Sequence, residues 1–500
     1  MGGRAAVKGA GRTISALVRR ERAVLIAFVL GLLGLAATTH RVVFSSGNDA
    51  SRWAQVEALV DHHRSSIEGT RFAGVVDQVV IDGRPYSNKP PLLAMAGAGV
   101  YFVLQRCFGW SFAAGVGMHE IVYWVTLALV GLPIALLLAL FLHELRATGI
   151  APPRLAAWTT LALGAGTLLL SFGGTLNNHA PAAALLFAAV MAARRGWGAT
   201  AGLLGGLVVA IDMLPGAGFV PFLAAMLWAS GGGWRQLGRY GAGVALAAAV
   251  FVAANLATSG TLLPPPLVPG AKLPWHTAAR HAGWVYLPED WTYPIRCLFG
   301  PRGYFVVSPV LLFGAAGWIA ALRGRGPLPR RLVVPLAAGV LVQVVGMSLV
   351  AGSYGGWSYG FRYLIPMTPL LMLAAPLVLA GWARLTFFAV LPVSVLLAAL
   401  GAYYPWPPAY EQEADRIPIA SLVTNPAGGN AACWVEQHWP RSAWARGLGA
   451  RFISRDESER QAYYAIFFRS KADFRTAARY RLALSPPVRD HSARAGSSEP

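Results

Sequence analysis

Asp49 and Arg52 stand three residues apart in Asn48-Asp49-Ala50-Ser51-Arg52-Trp53-Ala54, and Lys89 precedes Pro90-Pro91 forty positions beyond Asp49. At that spacing the carboxylate and the guanidinium can share one face of a helix. The acid can take a proton and the cation can hold an anion. Asn48 or Asp49 is the expected N-cap, with Trp53, Val56, Leu59 and Val60 recurring at helical spacing. The Pro-Pro pair opens a second helix, so Lys89 lies beside free backbone N–H groups and a helix dipole, where a phosphate is favourable. A third motif runs from Ser353 to Pro366 and contains Tyr354, Trp357, Arg362 and Tyr363. A turn rich in Gly and aromatic residues with one Arg suits sugar stacking and phosphate pairing. Each motif also has a plainer reading: a capping Asp paired with an Arg, a snorkelling Lys, and an interfacial aromatic belt.

The elements that position these residues are membrane helices. The 500 residues are 55% hydrophobic and 13% charged, and a soluble chain would carry about twice that charged fraction. The net charge of +20 does not indicate nucleic-acid binding, because the basic residues sit in short clusters between apolar runs. Half of the acidic residues before position 402 fall between 40 and 90: Asp49, Glu57, Asp61, Glu68, Asp77 and Asp82. Apolar runs at 23–39, 119–142, 155–172, 180–193, 199–213, 216–230, 240–257, 304–322, 332–351, 363–381 and 385–401 imply an all-α polytopic protein of about 11 spans, within about 9 to 13. A further run, 91–105, is read as a non-crossing interfacial helix. Only then do the linkers Arg146–Arg154, Arg194–Arg195, Arg235–Arg239 and Arg323–Arg331 all face the cytoplasm with the N-terminus. The transmembrane unit is thus 1–401, with a first outer loop at 40–90. Residues 402–500 form an extracytoplasmic region whose last ~15 residues read as disordered.

Other signals are weaker. Asn177-Asn178-His179 lies in a short outer turn before Pro181. His179 there could act as base, metal ligand or sugar contact, or Asn178 and His179 could cap the next helix. Asp212 is either a functional acid within the membrane or a cap before Pro215. His62-His63 lack a third ligand at metal spacing, and Gly202–Gly206 reads as close helix packing. Cys107, Cys297 and Cys433 form no metal spacing; unpaired cysteines are expected, with a Cys297–Cys433 disulfide as the alternative.

Asp-x-x-Arg-aromatic-Ala at 49–54, Lys-Pro-Pro-Leu at 89–92 and Arg-Tyr-Leu-x-Pro at 362–366 together resemble the polyprenyl-phosphate-sugar glycosyltransferases of the GT-C superfamily. The likeness is to the branch of the bacterial aminoarabinose transferase and the protein O-mannosyltransferases, and it covers about residues 15 to 400. It implies transfer of a sugar from a polyprenyl-phosphate carrier to a lipid, polysaccharide or protein acceptor outside a bacterial inner membrane. Asp49 would be the general base, with Arg52, Lys89 and Arg362 on the lipid phosphate. Asn178, His179, Tyr354, Trp357 and Tyr363 are candidate substrate contacts. Two positions depart from the pattern: Ala50 stands where some relatives have Glu, and Asn177-Asn178-His179 where many have an acid. No cofactor is required by the motifs, although a divalent metal serves some relatives. The competing functions are a transporter or flippase of a lipid-linked sugar, and a non-catalytic polyprenyl-lipid binder.

Overall fold

The computed structural model describes residues 21–44, 46–75, 77–272, 292–350, 355, 358–407, 426–439, 442–461 and 463–464. Tyr354, Trp357 and the C-terminal tail lie outside the described residues.

Most of the apolar runs are helical, but the run expected as a span at 155–172 is divided at Gly166-Thr167, and the one at 304–322 becomes helical only from Leu311. Helix α1 spans Glu21–Thr38, and α2, Gly47–Asp61, follows after a short connection. The α2 cap is Ser46, whose hydroxyl accepts from the Asn48 amide at 3.3 Å. The expected cap at Asn48 or Asp49 is therefore displaced, and both side chains are free for other partners inside the first turn. A hairpin follows, β1 at Gln78–Ile81 and β2 at Arg84–Ser87. Its two-residue turn has Asp82 at φ 49° and Gly83 at φ 78°, the left-handed geometry that Asp-Gly supplies. Helix α3, Pro91–Phe108, opens with proline in its first turn and ends on Gly109 at φ 69°.

The long helix α4, Met118–Ala147, carries a π-turn at Leu127–Gly131. Then come α5 at Pro153–Ala165, α6 at Leu168–Gly173 and α7 at His179–Arg194. Next are α8 at Gly198–Ile211, α9 at Met213–Ala229 and α10 at Gly233–Ser259. The second half holds α11 at Tyr293–Phe299, α12 at Leu311–Leu322 and α13 at Arg330–Val350. The run expected as a span at 363–381 is broken into a 3-10 turn Arg362–Met367, a short α14 at Thr368–Leu373 and a 3-10 turn Ala375–Val378. Pro366, Pro369 and Pro376 explain the breaks, since each removes a backbone donor. Helix α15 spans Gly381–Tyr403, and α16 at Ala427–His438 and α17 at Ala443–Phe452 follow.

Six of these helices are long and apolar enough to cross a membrane: α1, α3, α4, α10, α13 and α15. The chain is an integral membrane protein of mostly helical architecture. Helices α8 and α10 pack at backbone contact. A Cβ on Gly202 would lie 2.0 Å from the Tyr240 carbonyl oxygen, and one on Gly243 2.3 Å from that of Ala199. The glycines at 202–206 thus serve helix packing.

Contacts sort the helix ends into two groups. At one end, Glu144 of α4, fully buried, pairs with both Arg194 and Arg195 at the close of α7. At the other, Arg41 just past α1 pairs with Glu120 at the start of α4, and the His119 Nδ1 meets the Arg41 carbonyl at 2.7 Å. The segment between Arg41 and His119, including α2, the hairpin and α3, therefore leaves and rejoins the bundle at the same end. Within the segment, Asp61 at the close of α2 ties α3 back to α2. It accepts from Tyr101 Oη at 2.8 Å, Gln105 Nε2 at 2.8 Å and the Ala113 amide at 3.0 Å. Replacing Asp61 with Ala orphans these donors. It is expected to destabilise the fold by about 2–4 kcal/mol, read as a lower melting temperature in detergent.

No disulfide joins the three cysteines: Cys297 and Cys433 are buried and Cys107 is exposed.

Candidate active site

Asp49 lies in the first turn of α2 and is 1% exposed. Its Oδ2 accepts from the Phe44 amide at 2.9 Å and its Oδ1 from the Trp53 indole at 3.2 Å. Trp53 is held in turn by an aromatic cluster around Phe112, which also packs Phe72 and Tyr101. Burial pushes the Asp49 carboxyl up to about 7, against the Phe44 hydrogen bond, the Arg52 charge and the Trp53 hydrogen bond, which favour the anion. It does not cap the helix and forms no ion pair with Arg52 among the described residues, and it is buried, so the surface cap-and-pair reading does not describe it.

Arg52, also 1% exposed, donates to the Asn48 carbonyl at 2.8 Å, to the Asn48 side chain and to Asn178 Oδ1. It has no ion pair among the described residues. Burial and the neighbouring Arg362 charge lower its guanidinium to about 10, opposed by Asp49, Asp212 and Asp77. Asn178 is thus a brace for Arg52. The helix-capping role expected of Asn178 and His179 falls to Asn177, whose Oδ1 accepts from the Ala180 amide at 3.0 Å.

Lys89 Nζ lies 2.7 Å from Asp77 Oδ2. Burial lowers the ammonium to about 8; Asp77 opposes this, and Arg52 and Arg362 add to it. Burial would raise the Asp77 carboxyl, but Lys89, Arg362 and Arg52 outweigh it and hold Asp77 below the usual carboxylate range. The pair is ionic at neutral pH. The hairpin that spans 78–87 brings the two together, and the Ser51 hydroxyl docks it onto α2 by bonding the Asp77 carbonyl at 2.6 Å and Ser87 Oγ at 2.7 Å.

Arg362 enters from the broken segment and is 6% exposed. Its Nε donates to His179 Nε2 at 3.2 Å, and His179 Nδ1 lies 2.7 Å from Asp212 Oδ2. The guanidinium carbon sits 5.2 Å from the Tyr363 ring centre and 5.1 Å from that of Trp406. The Tyr363 ring meets His179 edge-on at 5.4 Å. Asp212 occupies the break between α8 and α9 with its backbone at φ −144° and ψ 81°, and is 5% exposed.

The structure therefore brings Asp49, Arg52, Lys89, Arg362, Asn178, His179 and Tyr363 to the end of the bundle from which α2 departs. Two residues given no firm role by sequence reasoning join them. Asp77 is recruited by the hairpin, for which Asp82-Gly83 after Val79-Val80-Ile81 was the available signal. Asp212 arrives because α7 leads away from His179 and α8 returns to it, which no local motif records. Among the described residues no group of three His, Cys, Asp or Glu side chains is placed to hold a metal ion.

No family model and no curated protein matches the sequence. Among solved structures, the sequence folds similarly to one from a bacterium. That is the crystal structure of ArnT from Cupriavidus metallidurans bound to undecaprenyl phosphate, at 18% identity and a TM-score of 0.48, covering 91% of this chain and 76% of that one.

Proposed function

We propose that the chain is a glycosyltransferase that moves a sugar from a polyprenyl-phosphate-linked donor to an acceptor. One observation carries this reading. Three cations from three separate segments converge beside the buried Asp49: Arg52 bonds Asn178, Arg362 bonds the adjacent His179, and Lys89 is docked against α2 through Asp77 and Ser51, so that their charges oppose one another on Arg52 and Lys89. Such mutual repulsion is relieved by an anion of more than one charge, as a phosphate is. In the reaction the acceptor hydroxyl oxygen bonds to the anomeric carbon and the bond from that carbon to the phosphate oxygen breaks. The polyprenyl phosphate departs with the electron pair and Asp49 takes the hydroxyl proton. The cations stabilise charge growing on the leaving phosphate. Gln55, one turn beyond Arg52 and 1% exposed, has no partner for either amide atom among the described residues, a capacity that sugar hydroxyls would meet.

The same reading places the site outside a bacterial inner membrane. The Glu144 end carries Arg146, Arg194 and Arg195, as a cytoplasmic face does, and the site lies at the opposite end. Helix α3 then rests in the interface, since it belongs to a segment that leaves and rejoins the bundle at the site end, although its length and composition also suit a span. A flippase would need broken, polar helices along a path across the membrane. The two breaks, at Asp212 and at 362–378, instead lead to the one site through the Asp212–His179–Arg362 contacts. Reconstituted into liposomes with a fluorescent polyprenyl-phosphate sugar, the protein is expected to leave the leaflet distribution of the intact donor unchanged. Protein-dependent movement of the intact donor between leaflets would instead establish the flippase.

A further inference from the structure

Asp212 and His179 form a buried carboxylate–imidazole pair of the kind that often serves as a general base. Its surroundings point elsewhere. Asp212 Oδ2 at 2.7 Å fixes the proton on Nδ1, which leaves Nε2 as an acceptor. That acceptor is already engaged by the Nε–H of Arg362 at 3.2 Å. Taking a substrate proton on Nε2 would set two N–H groups against each other beside a permanent cation. The Arg362 guanidinium is held by this one bond and by the rings of Tyr363 and Trp406 on its carbon. Its two terminal nitrogens make no hydrogen bond to any described residue, although Asp77, Arg52 and Lys89 all feel its charge.

We propose that Asp212 and His179 are positioning residues for Arg362. The carboxylate sets the imidazole tautomer, the imidazole holds the guanidinium by Nε, and the two terminal nitrogens are thereby aimed together at the lipid phosphate. This inference rests on the reading of Arg362 as a phosphate contact. It assigns the chain's departure in the outer turn, His179, a task other than catalysis, because a neutral imidazole can orient an arginine by accepting its Nε–H and does not neutralise it as a carboxylate would.

The test is a double-mutant cycle on binding of geranyl phosphate to the full chain in detergent, with geraniol as control. Arg362→Gln is expected to weaken geranyl phosphate by about 10- to 100-fold, the range for losing hydrogen bonds to a charged group. His179→Met, which removes the acceptor at similar volume, is expected to weaken it by about 5- to 10-fold. His179→Gln restores an acceptor oxygen near the Nε2 position and is expected to bind within about 3-fold of wild type. The His179→Met/Arg362→Gln double variant should bind no more weakly than Arg362→Gln alone, and geraniol should be indifferent to all four. Additive losses in the cycle, or a His179→Gln variant as weak as His179→Met, would overturn the inference. Should His179→Met melt too early to assay, the comparison of Asp212→Asn with wild type in both Arg362 backgrounds decides it in the same way. If wild type itself fails to bind geranyl phosphate, the reading of the site as a lipid-phosphate cradle fails and takes this inference with it. A loss with Arg362→Gln and none with His179→Met removes the inference alone.

Discussion

Asp49→Asn is expected to lower the transfer rate by about 10²–10⁴-fold, the usual contribution of a positioned base. The carboxyl lies at a helix start and accepts from the Phe44 amide, the Trp53 indole and the Leu176 backbone, which leaves about one of its four lone-pair sites for a substrate proton. Because burial raises its pKa to about 7, the wild-type rate should climb as pH rises through about 7, and it should fall again above about 8 as Lys89 loses its proton. A base must be ionised to act, so the acid limb belongs to this group and vanishes in the variant. The sign for stability runs the other way. A folded pKa above the unfolded one stabilises the fold at low pH, and that contribution is lost as pH rises through about 7. Above pH 8 the Asp49→Asn protein should therefore melt at or above the wild-type temperature, since a buried charge has been removed. Loss of activity with an unchanged or higher melting temperature separates chemistry from folding. An Asp49→Asn protein as active as wild type would reduce the residue to a structural acceptor for Phe44 and Trp53.

Lys89→Met is expected to lower kcat/KM by about 10²-fold, as removal of a charged contact to a developing anion does. The substitution also strips Asp77 of its ion partner at 2.7 Å, so some loss of stability accompanies it. Pairing it with Asp77→Asn distinguishes the two effects. The double variant should recover melting temperature while kcat/KM stays about 10²-fold below wild type, because the unpaired carboxylate is gone and the phosphate cation is still missing. Recovery of activity in the double variant would mean that Lys89 serves only to neutralise Asp77.

How far the sequence foretold this arrangement depends on the range of the interactions. The spans expected at 23–39, 119–142, 240–257, 332–351 and 385–401 return as helices of crossing length, and α3 opens at Pro-Pro, because those signals are local. The runs at 180–193, 199–213, 216–230 and 304–322 give shorter helices. Asp49, Arg52, Lys89 and Arg362 were legible as polar groups in costly surroundings. The cap of α2 was misassigned to Asn48 or Asp49 because Ser46 and both of these residues have capping side chains, and only tertiary burial of Asp49 decides between them. The continuous span expected at 363–381 underrated three prolines. Pairings across 12 residues, Asp77 to Lys89, and across 33, His179 to Asp212, depend on a hairpin and on a helix return, neither of which the residues at the contact announce. The Asn178 brace on Arg52 spans 126 positions and has no sequence signature.

The central claim is that the site breaks the sugar–phosphate bond of a lipid-linked donor. The most direct measurement supplies membranes containing the full chain with polyprenyl-phosphate donors carrying radiolabelled sugar, and follows both label and carrier. The account predicts that label moves into a new product while free polyprenyl phosphate accumulates in equal amount, and that neither occurs with Asp49→Asn at matched protein level. Label that remains on its carrier across donors of differing sugar, with wild-type protein folded and the lipid phosphate bound, would contradict it.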